Sequence, residues 1–275
     1  MANKSKQSNY GYAPATEKSA AATRFNGMLC DELSFSAAEA YKLLRANLMF
    51  TMPKGEACHI VGISSPIRAE GKSTTAINLS YTFAETGKRV LLIDADMRLP
   101  SIAKKLQLEA RMGLSNLLAG LCTVQEAVLP SEQLENWYIL TSGDIPPNPS
   151  ELLGTEAMGE LLEKLSKVFD YIVIDLPPIN IVSDALVVSR WTDGLVLIVR
   201  QNHTSRPELN ACLDQLRIVE AKLLGVVMTD AGNDGTGYYS GRYGKRYGKY
   251  YKKGYSYGYG YAEKSGRSGT VTRKK

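Results

Sequence analysis

The sequence predicts an α/β chain, a mostly parallel sheet with helices on both faces, followed by a disordered tail rich in tyrosine. Three observations carry this. Short apolar runs without polar alternation recur between helical patterns, as strands buried on both faces do. The run Gly71-Lys72-Ser73 stands between a strand pattern and a helix pattern. Two further strand patterns end in acidic residues, Asp94 and Asp175.

In chain order, residues 1–34 are polar and poor in large aliphatics, which predicts a flexible leader. Ser36-Ala37-Ala38-Glu39 has capping-box spacing, so a helix is expected to open at Ser36. Its apolar positions are Ala40, Leu43, Leu44 and Leu48, and Pro53 marks its end. Residues 57–64 (ACHIVGIS) read as a strand, 73–85 as a helix and 89–94 (RVLLID) as a strand. A helix is expected over 150–168 and a strand over 171–175 (YIVID). Strand 194–199, helix 207–220 and strand 223–229 complete the pattern, so the folded domain spans 35–231. Residues 232–275 form the tail. Ten of the sixteen tyrosines lie there: Tyr238, Tyr239, Tyr243, Tyr247, Tyr250, Tyr251, Tyr255, Tyr257, Tyr259 and Tyr261. Gly, Lys and Arg separate them, with no Leu, Ile or Val to supply a core.

Composition narrows the function. The net charge of +5 hides an asymmetry: residues 238–275 carry eleven Lys or Arg against Glu263 alone, a tail charge of +10 on a body of −5. Cys30, Cys58, Cys122 and Cys212 show no metal or redox spacing, and His59 and His203 are too few for a zinc site. No apolar run reaches the roughly 18 to 20 residues of a membrane span, and the N-terminus lacks a signal-peptide core. A cytoplasmic protein is expected, with any membrane role exerted through a partner.

Ser64-Ser65-Pro66-Ile67-Arg68-Ala69-Glu70-Gly71-Lys72-Ser73-Thr74 has the character of a P-loop. Glycine lets the backbone approach phosphates, and the N–H groups and dipole of the helix start favour the anion. Lys72 is placed to reach the terminal phosphates and Ser73 to ligate Mg²⁺. Pro66 stands where the full pattern has its first Gly. Asp94, Asp96 and Asp175 fall at the same sheet edge, where Mg²⁺ and phosphates compensate their charge. Arg98 either adds a cation beside the transferred group or pairs with an Asp. The adenine pocket is placed no better than near Asn202 or Asp230.

These residues resemble the bacterial tyrosine kinases, P-loop kinases unrelated in fold to the eukaryotic protein kinases. The likeness runs from about residue 34 to the C-terminus. It rests on the P-loop run, on Asp94-x-Asp96-x-Arg98-x-Pro100, on Asp175 followed by Pro177-Pro178, on Pro146 to Leu153 (PPNPSELL) and on the tyrosine cluster. Ala69 replaces a common Gly, and Leu176 stands where Thr often follows the Asp. The resemblance implies ATP and Mg²⁺ as cofactors, with Glu70, Gly71, Lys72, Ser73 and Thr74 binding the nucleotide. It implies Ser73, Asp94 and Asp175 around the metal, and Lys72, Asp94, Asp96, Asp175 and Arg98 in catalysis. The cluster would be the autophosphorylation site. Glu39, Lys42 and Arg45 are similar to the family's Glu-x-x-Arg-x-x-Arg oligomerisation motif, with Lys in the middle, and are expected to project from one side of the helix. A ring-shaped homo-oligomer, a separate membrane-spanning activator, an opposing phosphatase and a role in capsular or extracellular polysaccharide export follow from the likeness alone.

The expected reaction is phosphoryl transfer from ATP to a tyrosine, with Asp94 or Asp96 accepting the phenol proton. Three other readings compete. A partitioning or septum-placement ATPase would carry a second lysine where Ile67 stands, and it leaves the tyrosines without a use. A nucleic-acid-binding arm suits the basic aromatic tail but not the phosphate site. A small-molecule kinase would be expected to add a substrate-binding domain.

Overall fold

The computed structural model describes residues 33–231 except 54, 56, 110 and 111. The chain divides into two units, Met1–Asp230 and Ala231–Lys275, and the fold below is that of the first. Residues 1–32 and 232–275, with all ten tail tyrosines, lie outside the described residues.

Helix α1 (Phe35–Thr51) leads to strand β1 (His59–Ser64), helix α2 (Lys72–Ala84) and strand β2 (Val90–Asp94). Short helices α3 (Ile102–Lys105), α4 (Leu114–Leu118) and α5 (Val124–Ala127) precede strands β3 (Val128–Pro130) and β4 (Trp137–Leu140). Then come α6 (Pro149–Leu153), α7 (Glu156–Ser166), β5 (Tyr171–Asp175), α8 (Asp184–Ser189), β6 (Gly194–Arg200), α9 (Arg206–Ile218) and β7 (Leu223–Thr229). The seven strands form one sheet in the order β3-β4-β2-β5-β1-β6-β7. All neighbours are parallel except β3 and β4.

Side chains leave each strand alternately, so the sheet feeds two cores. On one face Ile93, Ile174 and Leu197 meet Met158, Leu162 and Leu165 of α7, Val188 of α8 and Leu216 of α9. On the other, Val61, Leu92, Val173 and Val196 meet Ala76, Ile77 and Leu79 of α2. Helix α2 is buried at every position from Thr75 to Ala84, between the sheet and α1. The expected sheet with helices on both faces is present; its inner strands β2, β5 and β6 are buried along nearly their whole length because neither face meets water, whereas the edge strand β7 exposes Val226 and Met228.

Several expected elements need correction. Helix α1 is capped by Ser34, whose hydroxyl accepts the Ala37 N–H, and not by Ser36. With Ala37 at the third helical position there is no capping box. Leu44 and Leu48 face the core together with Tyr41, whereas Leu43 is 62 % exposed and Ala40 also faces outward. The helix expected over 150–168 is two helices, α6 and α7, interrupted at Gly154 and Thr155. Strands β3 and β4 and the short helices α3, α4, α5 and α8 had no expectation. Three to six residues are too few for a period to register. Pro130 ends β3 on the sheet's antiparallel margin, where a missing N–H costs nothing.

Candidate active site

In parallel α/β sheets the carboxyl ends of the strands open onto the ligand crevice. Here β1, β2 and β5 end side by side, and the register pairs Asp94 with Asp175 across β2 and β5. The loop between β1 and α2 closes over them. Gly71 caps α2 with φ 91°, a left-handed conformation glycine adopts freely. Ala69 also has a positive φ, 62°.

The loop is strapped from outside. Thr229 Oγ1 donates to the Glu70 carbonyl at 2.7 Å, and His203 Nε2 lies 3.0 Å from the Arg68 carbonyl. The Glu70 carboxylate accepts the Thr204 hydroxyl. Burial pushes that carboxyl above its ordinary range, and Thr204 partly opposes the shift. With carbonyls held outward, the N–H groups from Ala69 to Thr74 donate to no described backbone carbonyl. Those from Gly71 to Thr74 are the orphan donors of a helix start.

Lys72 opens α2, and its ammonium lies 2.8 Å from Asp96 Oδ2 and 3.6 Å from Asp175 Oδ1. Burial works against its charge, but Asp175 and Asp96 outweigh burial and raise its pKa. Asp175 is fully buried, and neither of its oxygens has a hydrogen-bond partner. Burial raises its pKa, against the pull of Lys72 and Ser73. Asp94 is pushed up to about 7 by burial and then by the Asp175 charge. Its lone pairs are engaged: Oδ1 accepts the Asp96 N–H at 3.2 Å, and Oδ2 accepts those of Ser101 and Ile102, each at 3.0 Å.

A cavity of about 260 Å³ opens above these groups, lined by Gly71, Lys72, Ser73, Thr74, Asp96 and Arg98 and rimmed by Pro177, Pro178, Leu99 and Ile181. Leu99 and Ile181 are 56 % and 45 % exposed, two large aliphatics at the mouth of a polar site. A second cavity of about 250 Å³ flanks the loop on the other side, lined by Tyr41, Gly71, Thr75, Arg200, Thr229 and Asp230. Asp230 accepts from Arg200 at 2.9 Å there, while Asn202 is an exposed residue with φ 58°.

Of the sequence-predicted residues, Lys72, Asp94, Asp96 and Asp175 are brought together, with Glu70, Gly71, Ser73 and Thr74 on the loop and helix start above them. Of the two roles left open for Arg98, the structure shows the ion pair. The guanidinium grips the buried Asp184 through Nε at 3.0 Å and Nη2 at 3.1 Å, and Ser150 bridges both. Nothing in the sequence signalled Asp184, which reads as an ordinary acid in the first turn of α8. The trio on α1 does not share one free face. Lys42 pairs with Glu39 at 3.0 Å, but Arg45 turns inward and donates to the Thr82 carbonyl of α2.

The residues present suit a nucleotide with Mg²⁺. Among the described residues no cluster of three His, Cys, Asp or Glu makes a self-sufficient metal cage. Asp175, with Lys72 at 3.6 Å, and Ser73 instead offer the one or two protein groups that Mg²⁺ takes when phosphates complete its shell.

The family described as "AAA domain" matches residues 66–223. The chain is 37% identical over 190 residues to the tyrosine-protein kinase YwqD of Bacillus subtilis, covering 69% of this chain and 79% of that protein. The kinase domain of the Escherichia coli tyrosine kinase ETK superposes with a TM-score of 0.69 at 30% identity, covering 76% of this chain and 82% of the other. The chimerical protein CapA2B2 superposes with a TM-score of 0.65 at 36% identity, over 70% and 83% of the two chains. The Pyrococcus furiosus cell division ATPase MinD is more distant, at 24% identity and a TM-score of 0.53, and shares the fold alone.

Proposed function

The chain belongs to the bacterial tyrosine-protein kinases, and from that premise we propose that it transfers the γ-phosphoryl group of ATP to tyrosine, its own residues 238–261 included. The observation that carries this reading is the Lys72 ammonium, held 2.8 Å from Asp96 at the start of α2 and beneath the loop's free N–H groups.

Lys72 and the N–H groups from Ala69 to Thr74 receive the β- and γ-phosphates. Ser73 and Asp175 would hold Mg²⁺, which supplies positive charge to those phosphates when bound. Asp96 lines the cavity and Asp94, buried beneath it, does not, so we assign the proton to Asp96. A phenol has a pKa of about 10, so a carboxylate in line is needed to take the proton as the oxygen attacks. The phenolic oxygen bonds to the γ-phosphorus, the bond to the β-phosphate oxygen breaks, ADP leaves, and the proton stays on Asp96. Leu99 and Ile181 give the aromatic ring apolar walls at the mouth. The second cavity, with Asp230 and Arg200, takes the nucleoside. Arg98 ties the loop after β2 to α8 through Asp184 and to α6 through Ser150, and acts on the geometry.

The family likeness carries the biological frame: transfer between subunits of a ring, a membrane-spanning activator that recruits the chain to the inner membrane face, an opposing phosphatase, and polysaccharide export. Among the described residues no helix is long and apolar enough to cross a membrane. On α1, Phe35, Leu43 and Phe50 are exposed beside the Glu39–Lys42 pair, which supports an assembly role for that helix.

The test is incubation of the purified chain with Mg·ATP, followed by intact-mass analysis. We expect a ladder of phosphate increments mapping to 238–261, abolished by Lys72→Met with the fold intact. A persisting ladder in that variant would sink the assignment.

A further inference from the structure

The sequence pointed to one lysine at the phosphate site, but the cavity has a second. Lys105 closes α3 and lines the same cavity as Lys72, Ser73 and Asp96. Its ammonium lies 3.4 Å from Thr74 Oγ1, one residue beyond Ser73. The adjacent Lys104 is exposed, whereas Lys105 is half-buried.

Its position is fixed from below. A helix of four residues does not hold itself together. Asp94 holds the start of α3, its Oδ2 accepting the N–H groups of Ser101 and Ile102. Ile102 and Leu106 are buried on either side of Lys105. The turn that carries the ammonium is thus pinned by a carboxylate at the sheet edge and by two core side chains.

The charges around the cavity point the same way. Lys72 is already shared between Asp96 and Asp175. Arg98 is committed to Asp184. Arg68 also lines the cavity but sits exposed on the loop. Lys105 is paired with no described carboxylate; the lysine ion pairs of the fold involve Lys42, Lys72, Lys88, Lys164 and Lys167. A half-buried ammonium without an acid, at the wall of a site built for a polyanion, is a binding group whose counter-charge arrives with the ligand.

We propose that Lys105 is a second phosphate-binding lysine, its ammonium contacting the phosphates of the bound nucleotide beside Thr74. The proposal rests on reading this cavity as the nucleotide site. It requires no transfer to tyrosine, so the two can fail separately.

The experiment compares the full chain with its Lys105→Met and Lys105→Arg variants, in the presence of Mg²⁺. Affinities for ATP, ADP and pyrophosphate are measured by competition against a fluorescent nucleotide, and the thermal midpoint is recorded without ligand. Lys105→Met should weaken all three ligands about ten-fold, the size of one charge-assisted hydrogen bond. Lys105→Arg should restore most of the loss, and the unliganded midpoint should stay put. Unchanged affinities in Lys105→Met overturn the proposal. So does a loss for the nucleotides that leaves pyrophosphate unaffected, since the contact would then not be to phosphate. A wild-type chain that binds all three ligands but labels no tyrosine overturns the kinase reading and leaves the Lys105 comparison intact. A wild-type chain that binds none of them overturns both.

Discussion

Ala69 pays a local cost that its neighbours recover. Its φ of 62° lies in the left-handed region, where a Cβ costs roughly 1–2 kcal/mol. The Arg68 and Glu70 carbonyls on either side are held by His203 and Thr229, so the loop cannot relax away from it. This is the position where the resemblance led us to expect glycine, and the backbone now gives the reason. Ala69→Gly should stabilise the chain by up to ~1 kcal/mol, since glycine's extra unfolded-state entropy offsets part of the strain relieved. A urea midpoint that falls would show that the loop tolerates this conformation without cost. Lys72, Asp96 and Asp175 were legible because each combines a charged type with a strand or helix end. The grip of Asp184 on Arg98 was not, because its partners are 86 residues apart and neither sits in a motif that names the other. Asp94 was legible as a site residue but not in its task. The sequence shows a carboxylate, not which N–H groups fold back onto it.

Helix α4 shows how tightly the short elements are set against the sheet. Leu114 and Ser115 donate their N–H groups to the carbonyls of Thr141 and Ser142 beyond β4, at 2.8 and 2.9 Å. Gly113 makes this possible. A Cβ there would stand 2.2 Å from the Gly143 nitrogen and 2.4 Å from the Thr141 oxygen, both backbone atoms. Gly113→Ala should therefore force α4 off the end of β4 and cost about 2–4 kcal/mol, at the upper end for overpacking, because no side chain can move aside. A melting temperature within a degree of wild type would refute that packing argument. The strands β5 and β7 could be read to the residue, because a run of four to six residues without charge, ended by Asp175 or Thr229, leaves little freedom. α4 and β4 could not. They are four or five residues long and are defined by contacts with each other rather than by a period of their own. The break between α6 and α7 was hidden because Gly154 is a single glycine inside an otherwise helical pattern, which reads as tolerated rather than as a stop.

For the molecule as a whole, the proposed phosphorylation of the tail would couple catalysis to assembly through charge. The tail carries +10, and each tyrosine phosphate adds about −1.5 to −2 at pH 7, so about five to seven would cancel it. If subunits gather by offering tails to neighbouring sites, full phosphorylation should dissolve the assembly. Light scattering of the chain before and after Mg·ATP treatment checks this, and an oligomer mass indifferent to phosphorylation would count against it. The layout of the sheet carries a last consequence. Its two central functional strands, β2 and β5, both terminate in buried carboxylates that are register partners, Asp94 and Asp175. Two like charges at the heart of a sheet are a poor solution to the problem of folding. A lineage drifting under selection for solubility alone would exchange one of them for its amide, which keeps the shape and discards the repulsion. That both persist in one chain marks this spot as one where durability was surrendered for use.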